Sequence, residues 1–223
     1  MPGPRIGHHD CVSGFASHPF HSPVAREKDS MSNPEITRLE VLQNSARAEA
    51  KLNPDDDACV WVYVEIPQGS RNKYEYDAGL GRLKLDRTLH SSVHYPADYG
   101  FIPETHAPDG DHLDVLVILQ EGTFPGCFVR ARVLGYLDMR DEKGEDQKVL
   151  AVPAQDPRFA GVRTLADLAP HWLREIEVFF ATYKMLEDKS VEVGGWQGRD
   201  EALALIAECR MAYFGGSHRM PQL

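Results

Sequence analysis

Two short acidic clusters hold the residues whose types and spacing could do chemistry. The first is Asp109–Asp114, with the sequence DGDHLD, and the second is Asp141–Asp146, with the sequence DEKGED. Each cluster occupies a predicted turn and is followed by an apolar run that is typical of a buried strand. Neighbouring carboxylates repel one another, and a divalent cation is the group that most readily offsets this cost.

The ligand atoms available in these clusters are oxygens, which favour hard ions such as Mg²⁺, Mn²⁺ or Ca²⁺. An EF-hand is excluded, because the segment after Asp109 and Asp111 lacks the later glycine and the glutamate at the twelfth position. For either cluster alone, a hydrated acidic turn is the simpler interpretation. The two clusters together favour a metal site, because the strands that follow them could bring the carboxylates side by side.

Basic and phenolic side chains lie near the predicted ends of strands and helices. They are Lys73, Arg87, Lys148, Lys184, Tyr95, Tyr99 and Tyr183. Any single one is more simply a surface residue whose stem covers apolar surface. Together with metal-binding carboxylates they predict a site for a multiply charged oxyanion such as phosphate, because arginine offers a planar fork and lysine a point charge.

Other common catalytic arrangements are missing from the sequence. It contains no GxxxxGK[ST] loop and no GxGxxG loop for a nucleotide, no GxSxG elbow, and no plausible pairing of a cysteine with a histidine. We therefore expect the chemistry to rest on a metal-activated water.

Composition excludes several broad classes. The chain has 223 residues, with 34 acidic and 24 basic side chains and a formal net charge of −10, so a basic nucleic-acid-binding surface is not expected. No apolar run approaches the roughly 20 residues that span a bilayer. The four cysteines are scattered and form no CxxC pair, which favours a reducing compartment. We expect a cytoplasmic protein that binds neither membranes nor nucleic acids.

The chain divides near residue 58. Residues 1–58 contain only two of the 20 aromatic residues, and residues 1–30 predict a disordered leader, with a transit peptide as the alternative. An amphipathic helix is predicted after Asn33 and Pro34, with Ile36, Leu39, Leu42, Ala46 and Ala50 on one face. Residues 59–223 are predicted to form the catalytic domain.

Short strands dominate the first part of residues 59–223. They are predicted at Val60–Ile66, Lys73–Tyr76, Arg82–Asp86, Asp114–Leu119, Phe128–Leu137 and Gln147–Val152. In the first strand, the three valines and Ile66 are expected to share one face. Two helices follow, one opened by Pro170 and one over roughly Asp200–Tyr213. This order predicts a small barrel or sandwich followed by helices.

The chain from residue 59 to 214 resembles the soluble family I inorganic pyrophosphatases, most closely the bacterial ones. The resemblance rests on segments in colinear order: VEIP (64–67), NKYE (72–75), LDR (85–87), YPADYGF (95–101), DGDHLD (109–114), DEKGEDQK (141–148) and FFATYK (179–184). It implies a mainly β fold with some α structure, a five-stranded OB-like barrel with flanking C-terminal helices. It also implies Mg²⁺-dependent hydrolysis of pyrophosphate to two orthophosphates, and a homo-oligomer, commonly a hexamer.

The resemblance also implies roles for individual residues. The implied metal ligands are Glu65, Asp109, Asp114, Asp141 and Asp146. The implied phosphate-binding groups are Lys73, Arg87, Tyr99, Tyr183 and Lys184. Further polar positions of the pocket are Glu75, Tyr95, Glu142 and Lys148. Asp111 matches the general base, with Asp146 as the alternative.

One position departs from the family pattern, because His112 stands where a proline is usual. Proline fixes φ and removes an N–H, so this replacement could loosen the turn that aims the two aspartates. We expect His112 to be a bystander, and the alternative is an imidazole that acts near the metals.

Two other functions remain as alternatives. A hydrolase of nucleotides or polyphosphate would need an apolar element that binds a base, and the sequence offers none that can be identified. An oligonucleotide-binding barrel would need a basic, aromatic face, whereas the carboxylates of this site would repel a phosphate backbone.

Overall fold

A computed structural model describes residues 58–187 and 189–216 of the chain. The predicted leader over residues 1–30 and the predicted helix after Pro34 lie outside the described residues. The strands are β1 (Cys59–Ile66), β2 (Asn72–Asp77), β3 (Arg82–Thr88), β4 (Asp98–Ile102), β5 (Leu113–Val117), β6 (Phe128–Asp141), β7 (Gly144–Glu145), β8 (Lys148–Pro153) and β9 (Val191–Gln197). The helices are α1 (Pro170–Thr182) and α2 (Arg199–Gly216), with short 3₁₀ helices at Pro157–Phe159, Leu165–Asp167 and Met185–Glu187.

Five strands close into a ring, which confirms the predicted OB-like barrel with helices after it. The order around the ring is β1, β4, β5, β8 and β6, and β6 pairs again with β1. Four of the five pairings are antiparallel, and β5 with β8 is the parallel one. The strand β9 adds to the outside of the ring along β6.

Alternating side chains of the ring strands enter two separate clusters. Val115 and Val117 belong to the cluster that includes Ile206 of α2, whereas Leu116 belongs to the cluster that includes Phe180 of α1. This is the period of two expected when both faces of a strand are buried. Each helix therefore covers the apolar side chains of one face of the strands.

Ile66 differs from its predicted place. The register of β1 against β4 shifts between Val64 and Ile66. Val60, Val62 and Val64 pack with the cluster under α2, but Ile66 packs with the cluster under α1. A bulge adds one residue to the strand and turns the next side chain to the other face, so the expectation that Ile66 shares the face of the valines is wrong.

The hairpin of β2 and β3 forms a separate two-stranded sheet. Its register places Lys73 opposite Arg87. The strands themselves match the predicted segments Lys73–Tyr76 and Arg82–Asp86 with a residue or two added at the ends. The hairpin therefore brings two cations of the predicted site to the same position along its length.

Gly100 lies where β4 passes closest to β1, opposite Val64. A Cβ atom added to Gly100 would lie 1.9 Å from the carbonyl oxygen of Tyr63, so Gly100→Ala is expected to lower the free energy of unfolding by at least about 2 kcal/mol. Urea denaturation measures this change. The control is Gly161→Ala, since Gly161 is exposed and a Cβ atom added there would have no other atom within 4 Å. Equal effects of the two substitutions would contradict the close approach of β1 and β4.

No helix among the described residues is long and apolar enough to cross a membrane. The thiols of Cys127 and Cys209 form no disulfide, and Cys11 lies outside the described residues.

Candidate active site

A pocket of about 740 Å³ brings together fourteen of the fifteen predicted site residues. They are Glu65, Lys73, Glu75, Arg87, Tyr99, Asp109, Asp111, Asp114, Asp141, Glu142, Asp146, Lys148, Tyr183 and Lys184. The exception is Tyr95, which is 2% exposed and lies behind the pocket, with its ring packed between those of Tyr99 and Phe179. The role of Tyr95 as a polar position of the pocket therefore stays a prediction.

The parallel pairing of β5 and β8 brings the two acidic clusters together. Val115 pairs with Val149, which places Asp114 next to Lys148 across the strands. The ammonium group of Lys148 donates to Oδ2 of Asp114 at 2.5 Å and also to Oδ1 of Asp146. One buried cation thus joins a carboxylate of the first cluster to a carboxylate of the second.

Burial and the neighbouring charges together set the pKa values of Lys148, Asp146 and Tyr99. Burial lowers the pKa of Lys148, but the charges of Asp114 and Asp146 outweigh it, so the pKa is raised and the ammonium stays charged. Burial, opposed by Lys148, raises the pKa of Asp146. Burial together with the charge of Asp114 raises the pKa of Tyr99, whose hydroxyl donates to Oδ2 of Asp114 at 2.5 Å.

A second group of charges lies where β6 turns into β7. Lys184 donates to Oδ2 of Asp141 at 2.7 Å, and both side chains are more than 90% buried. Although burial alone would raise the pKa of Asp141, this hydrogen bond lowers it below its usual range. Glu142 lies 3.6 Å from Lys184 and 3.3 Å from Lys189, so the two lysines share its charge.

The hairpin supplies a third group of charges. Nζ of Lys73 lies 2.5 Å from Oε1 of Glu75, and Nη1 of Arg87 lies 2.6 Å from Oδ2 of Asp86. Nε of Arg87 also donates to Oε1 of Glu187, whose side chain is 5% exposed. These contacts fix where the donors of the two cations lie.

Glu65 is a buried carboxyl group at the end of β1. Its Oε1 accepts a hydrogen bond from the backbone N–H of Tyr76 at 2.6 Å. Burial, only partly offset by that hydrogen bond and reinforced by the charge of Asp114, raises the pKa of Glu65 to about 8. The group therefore binds a proton near neutral pH unless a cation comes close to it.

This shift predicts how the stability of the metal-free protein depends on pH. Between about pH 4.5 and 8 the folded state holds a proton on Glu65 that the unfolded state releases, so the free energy of unfolding falls as the pH rises through this window. Glu65→Gln removes the titrating group, so the wild type is expected to lose stability relative to this variant between about pH 5 and 8.5. Urea unfolding with EDTA measures both curves, and parallel curves would contradict the raised pKa.

The loop that carries the first acidic cluster is held by its own backbone. Gly110 has a φ of 96°, a value that glycine adopts without strain, and its N–H donates to the carbonyl oxygen of Ala107. Oδ1 of Asp109 accepts from the backbone N–H of Asp111 at 3.1 Å. Asp111 is exposed, lines the pocket, and makes no ion pair with a cation of the described residues.

Several pocket residues have no counterpart in the sequence-based site. Lys189 lies just after the predicted segment 179–184, and its charge is the only signal for it in the sequence. Tyr213 reaches the pocket from α2, about a hundred residues from the acidic loop that it faces. Such residues are brought in by tertiary packing, so local pattern could not identify them.

The charge balance of the pocket tests whether divalent cations fit it. Nine carboxyl groups and six lysine or arginine side chains line it, so acidic groups outnumber basic ones even though Glu65 holds a proton near neutral pH when no cation is close. In a small adjoining cavity, lined in part by Asp109, Asp114 and Asp146, Oε1 of Gln147 is buried and lacks a hydrogen-bond partner in the described chain. No three His, Cys, Asp or Glu side chains of the described residues already form a closed ligand set. The donors nevertheless fit hard divalent cations, because they are oxygens in negative excess.

Comparison with known proteins gives a consistent result. A family model described as inorganic pyrophosphatase matches residues 62–214. An inorganic pyrophosphatase of Halalkalibacterium halodurans is 55% identical over 154 residues, which cover 69% of this chain and 94% of that protein. One of Methanosarcina acetivorans is 51% identical over 152 residues, covering 68% and 90%. The crystal structure of the inorganic pyrophosphatase of Thermus thermophilus superposes with a TM-score of 0.69 at 46% identity, covering 71% of this chain and 92% of that one.

Proposed function

The chain belongs to the family of soluble inorganic pyrophosphatases, and we propose that its pocket hydrolyses pyrophosphate with the help of Mg²⁺ ions bound by Glu65, Asp109, Asp114, Asp141 and Asp146. The reaction is the hydrolysis of pyrophosphate to two orthophosphates, and the family is one of metalloenzymes. The choice of Mg²⁺ and the role of each residue are our proposal.

The excess of carboxylates in the pocket is the observation that carries the proposal. Pyrophosphate is a polyanion, and a pocket with more carboxylates than ammonium and guanidinium groups would repel it. Divalent cations turn this repulsion into attraction, because they bind to the carboxylates and to phosphate oxygens at once. Mg²⁺ suits such a site because it is usually held by a few carboxylates together with the phosphates of its substrate.

When bound, the Mg²⁺ ions supply Lewis-acid stabilisation of phosphate oxygens and make an attacking water more acidic. We assign to Asp111 the role of accepting the proton of that water, and its exposed carboxylate, which lines the pocket and forms no ion pair with a cation of the described residues, supports this role. The buried cation Lys148 keeps Asp114 and Asp146 close together despite their like charges.

The remaining charged groups hold the phosphates. Lys73 and Arg87 approach from the hairpin, and Lys184 approaches from the segment after α1. Burial, with the charges of Asp146 and Asp114, raises the pKa of Tyr183, so its hydroxyl stays protonated and can donate to a phosphate oxygen. Donors fixed in this way stabilise the charge that develops on the leaving phosphate.

Phosphate release from pyrophosphate and from ATP, each with Mg²⁺ and with EDTA, tests the proposal. We expect rapid release from pyrophosphate with Mg²⁺ and little release in the other three conditions. Faster hydrolysis of ATP than of pyrophosphate would overturn the substrate. Undiminished activity with EDTA would overturn the metal.

A cytoplasmic homo-oligomer, a hexamer by analogy with the bacterial family, is part of the same proposal. Val178 on α1, and Met185 and Leu186 just after it, are more than 60% exposed in the single chain, which supports a contact between copies. Sedimentation equilibrium measures the subunit number, and a monomer at micromolar concentration would contradict this part.

A further inference from the structure

The last turns of α2 lie against the loop that carries the first acidic cluster. The backbone N–H of His106 donates to the carbonyl oxygen of Cys209 at 2.9 Å. Further along the helix, the ring centroid of Tyr213 lies 6.0 Å from that of His112, and both side chains line the pocket. Two points of the loop, one before Asp109 and one after Asp111, are thus in contact with one rigid helix.

His112 is fixed on its other side by the barrel. Its ring stacks on that of Phe101 in β4, with centroids 4.7 Å apart and an angle of 16° between the planes. Nδ1 lies 2.7 Å from the carbonyl oxygen of Thr105, and because a carbonyl oxygen only accepts, Nδ1 carries the hydrogen. Oγ1 of Thr105 accepts from the N–H of Leu113 and donates to the carbonyl oxygen of Ile102. The ring of His112 therefore joins the start and the end of the loop.

We propose that Tyr213 is a positioning residue for metal binding, which holds His112 and through it the loop that carries the proposed ligand Asp109. The inference rests on the proposed function, in which Asp109 of this loop binds Mg²⁺. Asp109 and Asp111 are at least partly exposed and flank a glycine, so without support the loop would lose conformational freedom when a cation binds. A ring that already restricts His112 reduces that cost, as partners behind metal ligands commonly do.

The test is Mg²⁺ binding to the full chain by isothermal titration calorimetry, for the wild type, Tyr213→Ala, Tyr213→Phe and Met211→Ala. Met211 is 67% exposed on the same helix and does not line the pocket, so it controls for any loss of helix packing. We expect Tyr213→Ala to raise the Kd for Mg²⁺ about tenfold relative to Met211→Ala. The melting temperatures of these two variants should be similar. Tyr213→Phe, which keeps the ring, should restore the Kd.

Two results would overturn the inference. One is a Kd for Tyr213→Ala equal to that of Met211→Ala, and the other is a Kd for Tyr213→Phe as weak as that of Tyr213→Ala, because the ring would then do nothing. Should Tyr213→Ala fail to fold, Tyr213→Leu takes its place with the same expectation. A wild type that binds no Mg²⁺ would instead overturn the proposed function itself. Failure of the inference and failure of the proposed function therefore give different results.

Discussion

Asp114→Asn is expected to reduce the kcat/KM for pyrophosphate by roughly 10³-fold or more. The side chain lies at the centre of the site, where its Oδ2 accepts from both Tyr99 and Lys148. A bound cation stabilises the transition state by several kcal/mol, and the loss of one ionised ligand weakens this stabilisation. Each 1.4 kcal/mol of lost stabilisation lowers the rate by about a factor of ten. Steady-state kinetics over a range of Mg²⁺ concentrations measures the effect. The same data should show a weaker apparent affinity of the variant for Mg²⁺.

Asparagine is the informative replacement because it separates the loss of chemistry from the loss of fold. It keeps the size of the side chain and an oxygen for the donors, while Lys148 keeps its contact with Asp146. Asp200→Asn is the matched control, since it removes the same charge from a side chain that is 90% exposed on α2. Near-normal Mg²⁺ affinity and activity in Asp114→Asn would contradict the ligand assignment.

The meeting of the two acidic clusters is the part of the site that could be predicted best. An apolar run follows each cluster, Val115–Ile118 directly after the first and Val149–Val152 two residues after the second. Both runs are buried in the structure, and the first residues of each lie side by side because β5 and β8 are parallel. The apolar runs predict the burial, but only the closed ring decides that the two strands are neighbours.

Other parts of the fold gave no clear local signal. Gly100 interrupts β4, and Gly194 with Gly195 interrupts β9, so neither segment has the run of β-branched residues that predicts a strand. The bulge in β1 changes the face of Ile66 without changing the sequence pattern. His112 was expected to be a bystander, and the structure adds that its ring is packed on Phe101 rather than free in solvent. These features depend on contacts between strands, which a single sequence does not contain.

Asp111→Asn is expected to lower kcat by roughly 10²–10⁴-fold while the affinity for Mg²⁺ changes little, because it removes a proton acceptor and keeps the shape of the side chain. Water reaches the carboxylate of Asp111 more easily than that of Asp146, which supports Asp111 as the general base. Asp111 is exposed at the pocket, whereas Oδ1 of Asp146 is already bound to the ammonium of Lys148. Single-turnover kinetics, combined with calorimetric Mg²⁺ titration of the same variant, measures the two quantities independently.

The raised pKa of Asp146 supports the alternative that Asp146 is the general base, because burial gives this carboxyl group a stronger tendency to take up a proton. The two assignments predict different results for the same variant. If Asp146 is the base, Asp111→Asn should keep most of its turnover. If Asp111 is a metal ligand, its replacement should weaken Mg²⁺ binding together with the rate. A large loss of kcat with an unchanged Mg²⁺ affinity fits neither of these, and it is the result we expect, because the exposed carboxylate of Asp111 lines the pocket and forms no ion pair with a cation of the described residues.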